Sequence, residues 1–132
     1  MADASDTLVV HLDRVRLSVP AGPSFRGALR LLLGGLGSSS GLSYDQVNEL
    51  QLAVEALIAH REVAGESVLV EADLDAGALV VAVGPFVPGD DPAGRRVLDR
   101  LVRSARSSSR HDGEWIELAA GHPSAREGER AW

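Results

Sequence analysis

The stretch SYDQVNELQLAVEALIAHR, residues 43–61, decides the fold of this chain, because it has the clearest helix start and the clearest buried face. Ser43 and Gln46 form a capping box, in which the two side chains each satisfy a backbone N–H of the helix start. An apolar stripe follows at helical spacing and predicts roughly five turns at 3.6 residues each, ending near Arg61. The stripe consists of Val47, Leu50, Ala53, Val54, Leu57 and Ile58.

Strands are predicted on both sides of this helix, because apolar and polar residues alternate there with a period of two. Residues 15–19 alternate before the helix, and residues 8–12 form either an earlier strand or a lead-in. An alternating segment over 67–73 follows the helix, and then a nearly continuous apolar run over 79–83 that is typical of a central strand. The last predicted strand contains residues 115–118.

Two further helices complete the pattern. The first is expected to end near Gly34 or Gly35, and the stretch GGLGSSSG over 34–41 is interpreted as a flexible connection. A phosphate-binding glycine loop is disfavoured there, because such loops follow a strand and this one follows a helix. Residues 84–89 are predicted to form a loop, after which Asp91 caps a third helix.

The element order predicts an α+β class: a two-layer sandwich with a mixed, mainly antiparallel sheet and helices on one face. We expect one domain over residues 14–119, an N-terminal lead-in over 1–13 and a flexible tail over 120–132.

Composition excludes several functions. The 132 residues include no Cys and no Lys, which rules out disulfides, thiolate catalysis and lysine-based chemistry. A net charge of -6 argues against a generally basic nucleic-acid binder, so no direct nucleic-acid contact is expected. No apolar run has the length of a membrane span and the start lacks the charge of a signal peptide, so we expect no membrane contact and a cytoplasmic location.

The arrangement resembles the GHKL ATPase fold, in the small form found in bacterial anti-sigma-factor serine kinases. The resemblance covers roughly residues 14–119, and its most specific local match is the L-x-L-A-V segment at 50–54. It implies a Glu on the second helix as general base, with an Asn one turn later that binds Mg²⁺. It also implies an adenine-binding Asp after the hairpin and a glycine-rich stretch that holds phosphate at the start of the third helix.

The sequence departs from this pattern on the second helix, which contains no E-x-x-x-N. If Glu55 is the base, the metal position falls on Ala59, which cannot bind a cation. If the apolar stripe is kept in register, the two positions fall on Ala56 and His60. We prefer the second register, because misplacing several buried residues costs more than losing one catalytic side chain. Neither register leaves a working pair.

The nucleotide-binding positions are also altered. The segment VAVGPF over 81–86 stands where the family has an Asp followed by glycines, and Arg95 and Arg96 stand where small residues would admit phosphate. The candidates that remain are Glu55 for catalysis and His60, Gly84 and Gly94 for cofactor binding, with no metal ligand.

Six arginines in sixteen residues give the one clear charge asymmetry. On a helix, Arg96, Arg100 and Arg103 would share a face that Arg106 or Arg110 extends. This face either docks an acidic partner or a phosphate, or is simply solvated.

The resemblance implies a bacterial regulatory protein that binds a partner, and the altered site positions predict that it has no ATPase or kinase activity and no cofactor. Its partner is expected to be a sigma factor or an anti-anti-sigma (STAS-type) protein, and a homodimer is expected. Two alternatives stay open: an active serine kinase that uses ATP and Mg²⁺, and an unrelated α+β module that dimerises.

Overall fold

The computed structural model describes residues 8–10, 14–20, 25–75 and 78–121. Residues 1–7 and 11–13 of the predicted lead-in over 1–13, and residues 122–132 of the predicted tail over 120–132, lie outside the described residues. The elements are β1 Leu8–Val10, β2 Arg14–Pro20, α1 Phe25–Ser40, α2 Tyr44–His60, β3 Ser67–Asp75, β4 Ala78–Phe86, α3 Pro92–Leu101, β5 Ser104–Arg110 and β6 Gly113–Gly121.

The strands of this part of the chain form one sheet in the order β1-β2-β3-β4-β6-β5. Each neighbouring pair is antiparallel. Strand β4 lies in the interior of the sheet, as its continuous apolar run predicts, and Val81 and Val83 are fully buried. The predicted α+β class with a mainly antiparallel sheet is confirmed.

The helices cover one face of the sheet. Leu50, Ala53 and Val54 of α2 are fully buried there, so the stripe predicted from the sequence is the buried face of the helix. Burying each large aliphatic side chain contributes roughly 1.5–3 kcal/mol. The sheet contributes alternate positions to this core: Val68, Val70, Ala72, Leu79, Val81, Val83, Ile116, Leu118 and Ala120.

No described helix is both long enough and apolar enough to cross a membrane.

The capping box that opens α2 is confirmed. The Ser43 hydroxyl accepts from the Gln46 backbone N–H at 3.1 Å, and the Gln46 side-chain oxygen accepts from the Ser43 backbone N–H at 2.9 Å. Helix α2 ends at His60 with Arg61 as its C-cap, within one residue of the predicted end.

Helix α1 continues to Ser40, so the prediction of a flexible connection over 34–41 is wrong. The reason is a contact between the two helices. Gly37 is buried, and a Cβ added to it would lie 2.3 Å from Cγ2 of Val47 on α2. Glycine thus lets the two helices approach closely, and this tertiary packing outweighs the low helix propensity of the segment.

A glycine C-cap then ends α1. Gly41 has a φ of +81°, in the left-handed region that glycine adopts at little cost. Leu42 N–H donates to the Gly37 carbonyl at 3.0 Å and Gly41 N–H donates to the Ser38 carbonyl at 3.4 Å. These two bonds form a Schellman motif.

Two boundaries in the second half of the chain also differ from prediction. Strand β4 extends to Phe86, so only the end of the predicted loop over 84–89 is a loop. Helix α3 ends at Leu101, and Arg103 N–H donates to the Ala119 carbonyl at 2.9 Å, which starts the β5–β6 pairing. The serine-rich segment after it is the strand β5.

The sheet face without helices carries a buried tryptophan. Trp115 is 1% exposed, and a Cβ on Gly84 would lie 2.6 Å from its ring. The Arg110 guanidinium lies 3.9 Å from the ring centroid and reaches Glu71 at 3.2 Å. The Trp115 indole N–H donates to the Asp112 carboxylate at 2.9 Å. An arginine therefore takes the place of a second helical layer over this ring.

Replacing Gly37 by Ala is expected to destabilise the protein by about 1–3 kcal/mol, because the new methyl group overlaps Val47. Gly35→Ala is the matched control: Gly35 is exposed and a Cβ there meets nothing within 4 Å. This control should gain about 0.5–1 kcal/mol if the segment is helical. Urea unfolding of both variants measures the difference, and a flat response at Gly35 would contradict the helical assignment.

Acidification is expected to release the Trp115–Asp112 hydrogen bond. The indole N–H favours the ionised carboxylate and holds the pKa of Asp112 below its ordinary value of 3.8. A lowered folded-state pKa stabilises the fold above the unfolded pKa, and this contribution is lost as the pH falls through the folded pKa. In a Trp132→Phe background, Trp115 fluorescence should therefore change with a midpoint below 3.8.

The control for this titration is Asp112→Asn, whose amide oxygen still accepts the hydrogen bond but does not ionise. The transition should be absent in this variant. An unchanged transition would assign it to another group.

Candidate functional site

A cleft of about 290 Å³ lies between the end of α2, the start of α3 and strands β5 and β6. Its polar lining includes cations and carboxylates, and its floor is apolar. The residues that matter for its chemistry are Ala56, His60, Arg61, Asp90, Asp91, Gly94, Arg95, Arg106 and Glu114.

The face of α2 that lines this cleft carries Ala56 and His60. These are the two positions that follow when the apolar stripe is kept in register. Glu55 does not line the cleft. Its carboxylate accepts from the Gln51 side-chain amide at 3.0 Å and lies 3.9 Å from the Arg30 guanidinium of α1. Glu55 therefore serves the contact between α1 and α2.

The start of α3 is closed by its own cap. The Asp91 carboxylate accepts from the Gly94 backbone N–H at 3.1 Å, and a Cβ on Gly94 would lie 2.2 Å from the other carboxylate oxygen. Helix N-termini favour anions, and here a carboxylate of the chain itself holds that position. Gly94 thus lines the cleft, but its N–H is already used.

The remaining glycine candidate lies elsewhere. Gly84 is buried on the opposite face of the sheet, where it makes room for Trp115. The structure therefore brings His60 and Gly94 together in the cleft, and separates Glu55 and Gly84 from them.

The side chains that line the cleft do not match the ligand set that the resemblance implies for Mg²⁺ and ATP. Asp91 caps α3 and Glu114 is paired with Arg61, so Asp90 is the one carboxylate of the cleft lining without such a contact. Helix α2 contributes no carboxylate to the lining. Among the described residues, no group of three His, Asp or Glu side chains is placed to hold a metal ion.

Arg61 is a cleft residue that sequence reasoning missed. Its guanidinium forms an ion pair with Glu114, donates to the Val87 carbonyl at 3.2 Å and lies 5.4 Å from the centroid of the Phe86 ring. It ties the end of α2 to β6 and to the segment that leads into α3. No local signal identifies it, because its partners are 26 and 53 residues away.

The predicted arginine face is partly wrong. Arg96 and Arg100 lie exposed on α3, but Arg103 follows the end of the helix at Leu101 and so is not on a common helix face. Two further arginines belong to β5: Arg106 pairs with Glu117 and Arg110 pairs with Glu71.

Replacing Arg61 by Met is expected to cost about 1–3 kcal/mol, because it leaves the Glu114 carboxylate, 18% exposed, without its cation. Arg106→Met breaks the Arg106–Glu117 pair, whose arginine is 77% exposed, and should cost less than about 1 kcal/mol. Urea unfolding compares the two. Equal losses would mean that Arg61 is an ordinary surface residue.

No protein family model matches the chain. Part of it is similar to curated proteins named serine-protein kinase RsbW. The Bacillus subtilis protein is 40% identical over 44 residues, which is 33% of this chain and 28% of that protein. The Bacillus licheniformis protein is 40% identical over 42 residues, 32% of this chain and 26% of that protein. The Bacillus velezensis protein is 37% identical over 43 residues, 33% and 27% of the two chains. The match thus spans little more than a quarter of each kinase, and the chain is similar to these kinases over a third of its own length.

Proposed function

We propose that this chain is an anti-sigma-factor-like regulator that acts by binding a partner protein and does not transfer phosphate. Its partner is a sigma factor or an anti-anti-sigma (STAS-type) protein, and the active form is a homodimer. Binding by complementary surfaces would keep the partner from its other contacts, which needs no chemistry in the cleft.

Two findings support the regulatory class. The first is the partial similarity to proteins named serine-protein kinase RsbW. The second is the fold: a helical layer over one face of an antiparallel sheet is the arrangement that the resemblance implies. Both agree with the resemblance seen in the sequence.

The absence of phosphate transfer is inferred from one observation, the α2 face of the cleft. Ala56 and His60 stand there, one helical turn apart, where the resemblance implies a carboxylate and an amide. A methyl group cannot act as a general base, and an imidazole is a poor ligand for Mg²⁺, which prefers oxygen. The only carboxylate nearby on the helix, that of Glu55, contacts Arg30 and Gln51 instead.

An active ATP-dependent serine kinase is the second candidate, favoured by the partial similarity to proteins named serine-protein kinase. It would require Glu55 to leave its contact with α1 and to enter the cleft as the base. The register of α2 opposes this. A rotation of the helix that brought Glu55 into the cleft would also move Val54 and Leu57, which are both buried in the core.

Isothermal titration with Mg²⁺ and ATP is expected to give no saturable binding below about 1 mM, a limit that corresponds to about -4 kcal/mol. The comparison variant is Ala56→Glu/His60→Asn, which rebuilds the carboxylate–amide pair at the two cleft positions. If this variant binds ATP and the unaltered chain does not, the loss of ATP binding is due to those two residues. Micromolar binding by the unaltered chain would contradict the proposal.

A phosphate-transfer assay separates the two candidates further. With labelled ATP and a STAS-type protein as acceptor, we expect no labelled serine. Labelling that disappears in Glu55→Ala and persists in Glu49→Ala, a change at an exposed position of the same helix, would establish the kinase.

A further inference from the structure

The nine arginines whose side chains the structure describes fall into two groups. The five outside α3 and its end are each within 4 Å of a carboxylate, and the other four have no acidic partner in the described part of the chain. The paired group is Arg16, Arg30, Arg61, Arg106 and Arg110. The unpaired group is Arg95, Arg96, Arg100 and Arg103, and all four are exposed. Arg96 and Arg100 do not line the cleft, and we call these two residues the α3 arginine surface.

The fold presents this surface outward. Leu98 is 6% exposed and packs into the core, which turns Arg96 and Arg100 away from the sheet. These two arginines are four residues apart and so lie one helical turn apart on the same side. Val97, beside them, is 49% exposed and adds an apolar contact to the charged surface.

The charges of this surface are not neutralised from within. Asp99 is the only acid between Arg95 and Arg103, and it pairs with none of them within 4 Å. Like charges one turn apart destabilise a helix, so the arrangement has a cost in the free chain. A compact positive surface on a chain of net charge -6 also orients and attracts a negatively charged partner.

We infer that the α3 arginine surface docks an acidic segment of the partner protein. Guanidinium groups bind carboxylates through two parallel hydrogen bonds, and Arg96 and Arg100 fit two carboxylates about one helical turn apart. Val97 would contact an apolar residue between them. A long nucleic acid fits less well, because the surface is small and the rest of the chain is acidic. This inference rests on the proposed function, since it names the chemistry of the partner.

The test uses a labelled helical peptide with Glu pairs spaced four residues apart and a leucine between them. Fluorescence anisotropy with the full chain is measured at about 0.05 M salt, where screening of exposed charges is weak. Arg96→Gln/Arg100→Gln should weaken binding about tenfold, the equivalent of about 1.4 kcal/mol. The matched control is Arg16→Gln/Arg30→Gln, which removes the same charge from two exposed positions on other elements.

Binding that falls about tenfold in the first variant and less than about twofold in the control supports the docking surface. Equal losses in both variants would attribute binding to overall charge and overturn it, as would no binding of the peptide. A DNA duplex that binds as tightly as the peptide and with the same dependence on Arg96 and Arg100 would also overturn it. None of these outcomes involves a nucleotide. A failure of the docking surface can therefore be told apart from a failure of the proposed function, which the titration with Mg²⁺ and ATP tests.

Discussion

The packing of α2 against β6 and the two neighbouring helices is the constraint on which the fold and the cleft both depend. Leu50 and Val54 are fully buried in that contact, and Leu57 is 5% exposed. One residue of helix corresponds to a rotation of about 100°. Bringing Glu55 to the place of Ala56 would therefore turn the whole stripe out of the core. Each side chain lost from burial costs roughly 1.5–3 kcal/mol, which exceeds what one ligand contact returns. The core thus decides which side chains reach the cleft.

The arginines of this protein differ in whether a carboxylate lies beside them, and the net charge does not reveal this difference. On the sheet face without helices, Glu71 lies between Arg16 and Arg110 and forms an ion pair with each. Arg110 in turn covers Trp115, so a charged residue does the work of an apolar layer. In the cleft, Arg61 forms an ion pair with Glu114 and so links the end of α2 to β6. The arginines of α3 stand apart from this pattern, and the contrast is visible only once pairs have been assigned in space.

What the sequence predicted correctly is local. The capping box of Ser43 and Gln46 and the stripe of α2 depend on residues within one helix, and the strands depend on alternation within a few residues. The errors arise where distant contacts decide. The segment over 34–41 is helical because Gly37 meets Val47, and α3 stops at Leu101 because the next residues pair with β6. For the same reason the pattern revealed neither the position of Arg61 nor the cover over the tryptophan.

Helix α3 offers two positive features to an anion: its N-terminus at the cleft and its exposed arginines. The positive end of the helix dipole faces the cleft, but Asp91 is attached to the chain and stays at that end at a high effective concentration. A free anion would have to displace this carboxylate from the Gly94 N–H and would gain little net hydrogen bonding by doing so. Arg96 and Arg100 meet no such competitor within the described residues, since neither has a carboxylate partner there. A negative group from outside thus meets no internal competitor at Arg96 and Arg100, whereas at the Gly94 N–H it would have to displace Asp91, and this is the contrast that the proposed partner binding requires.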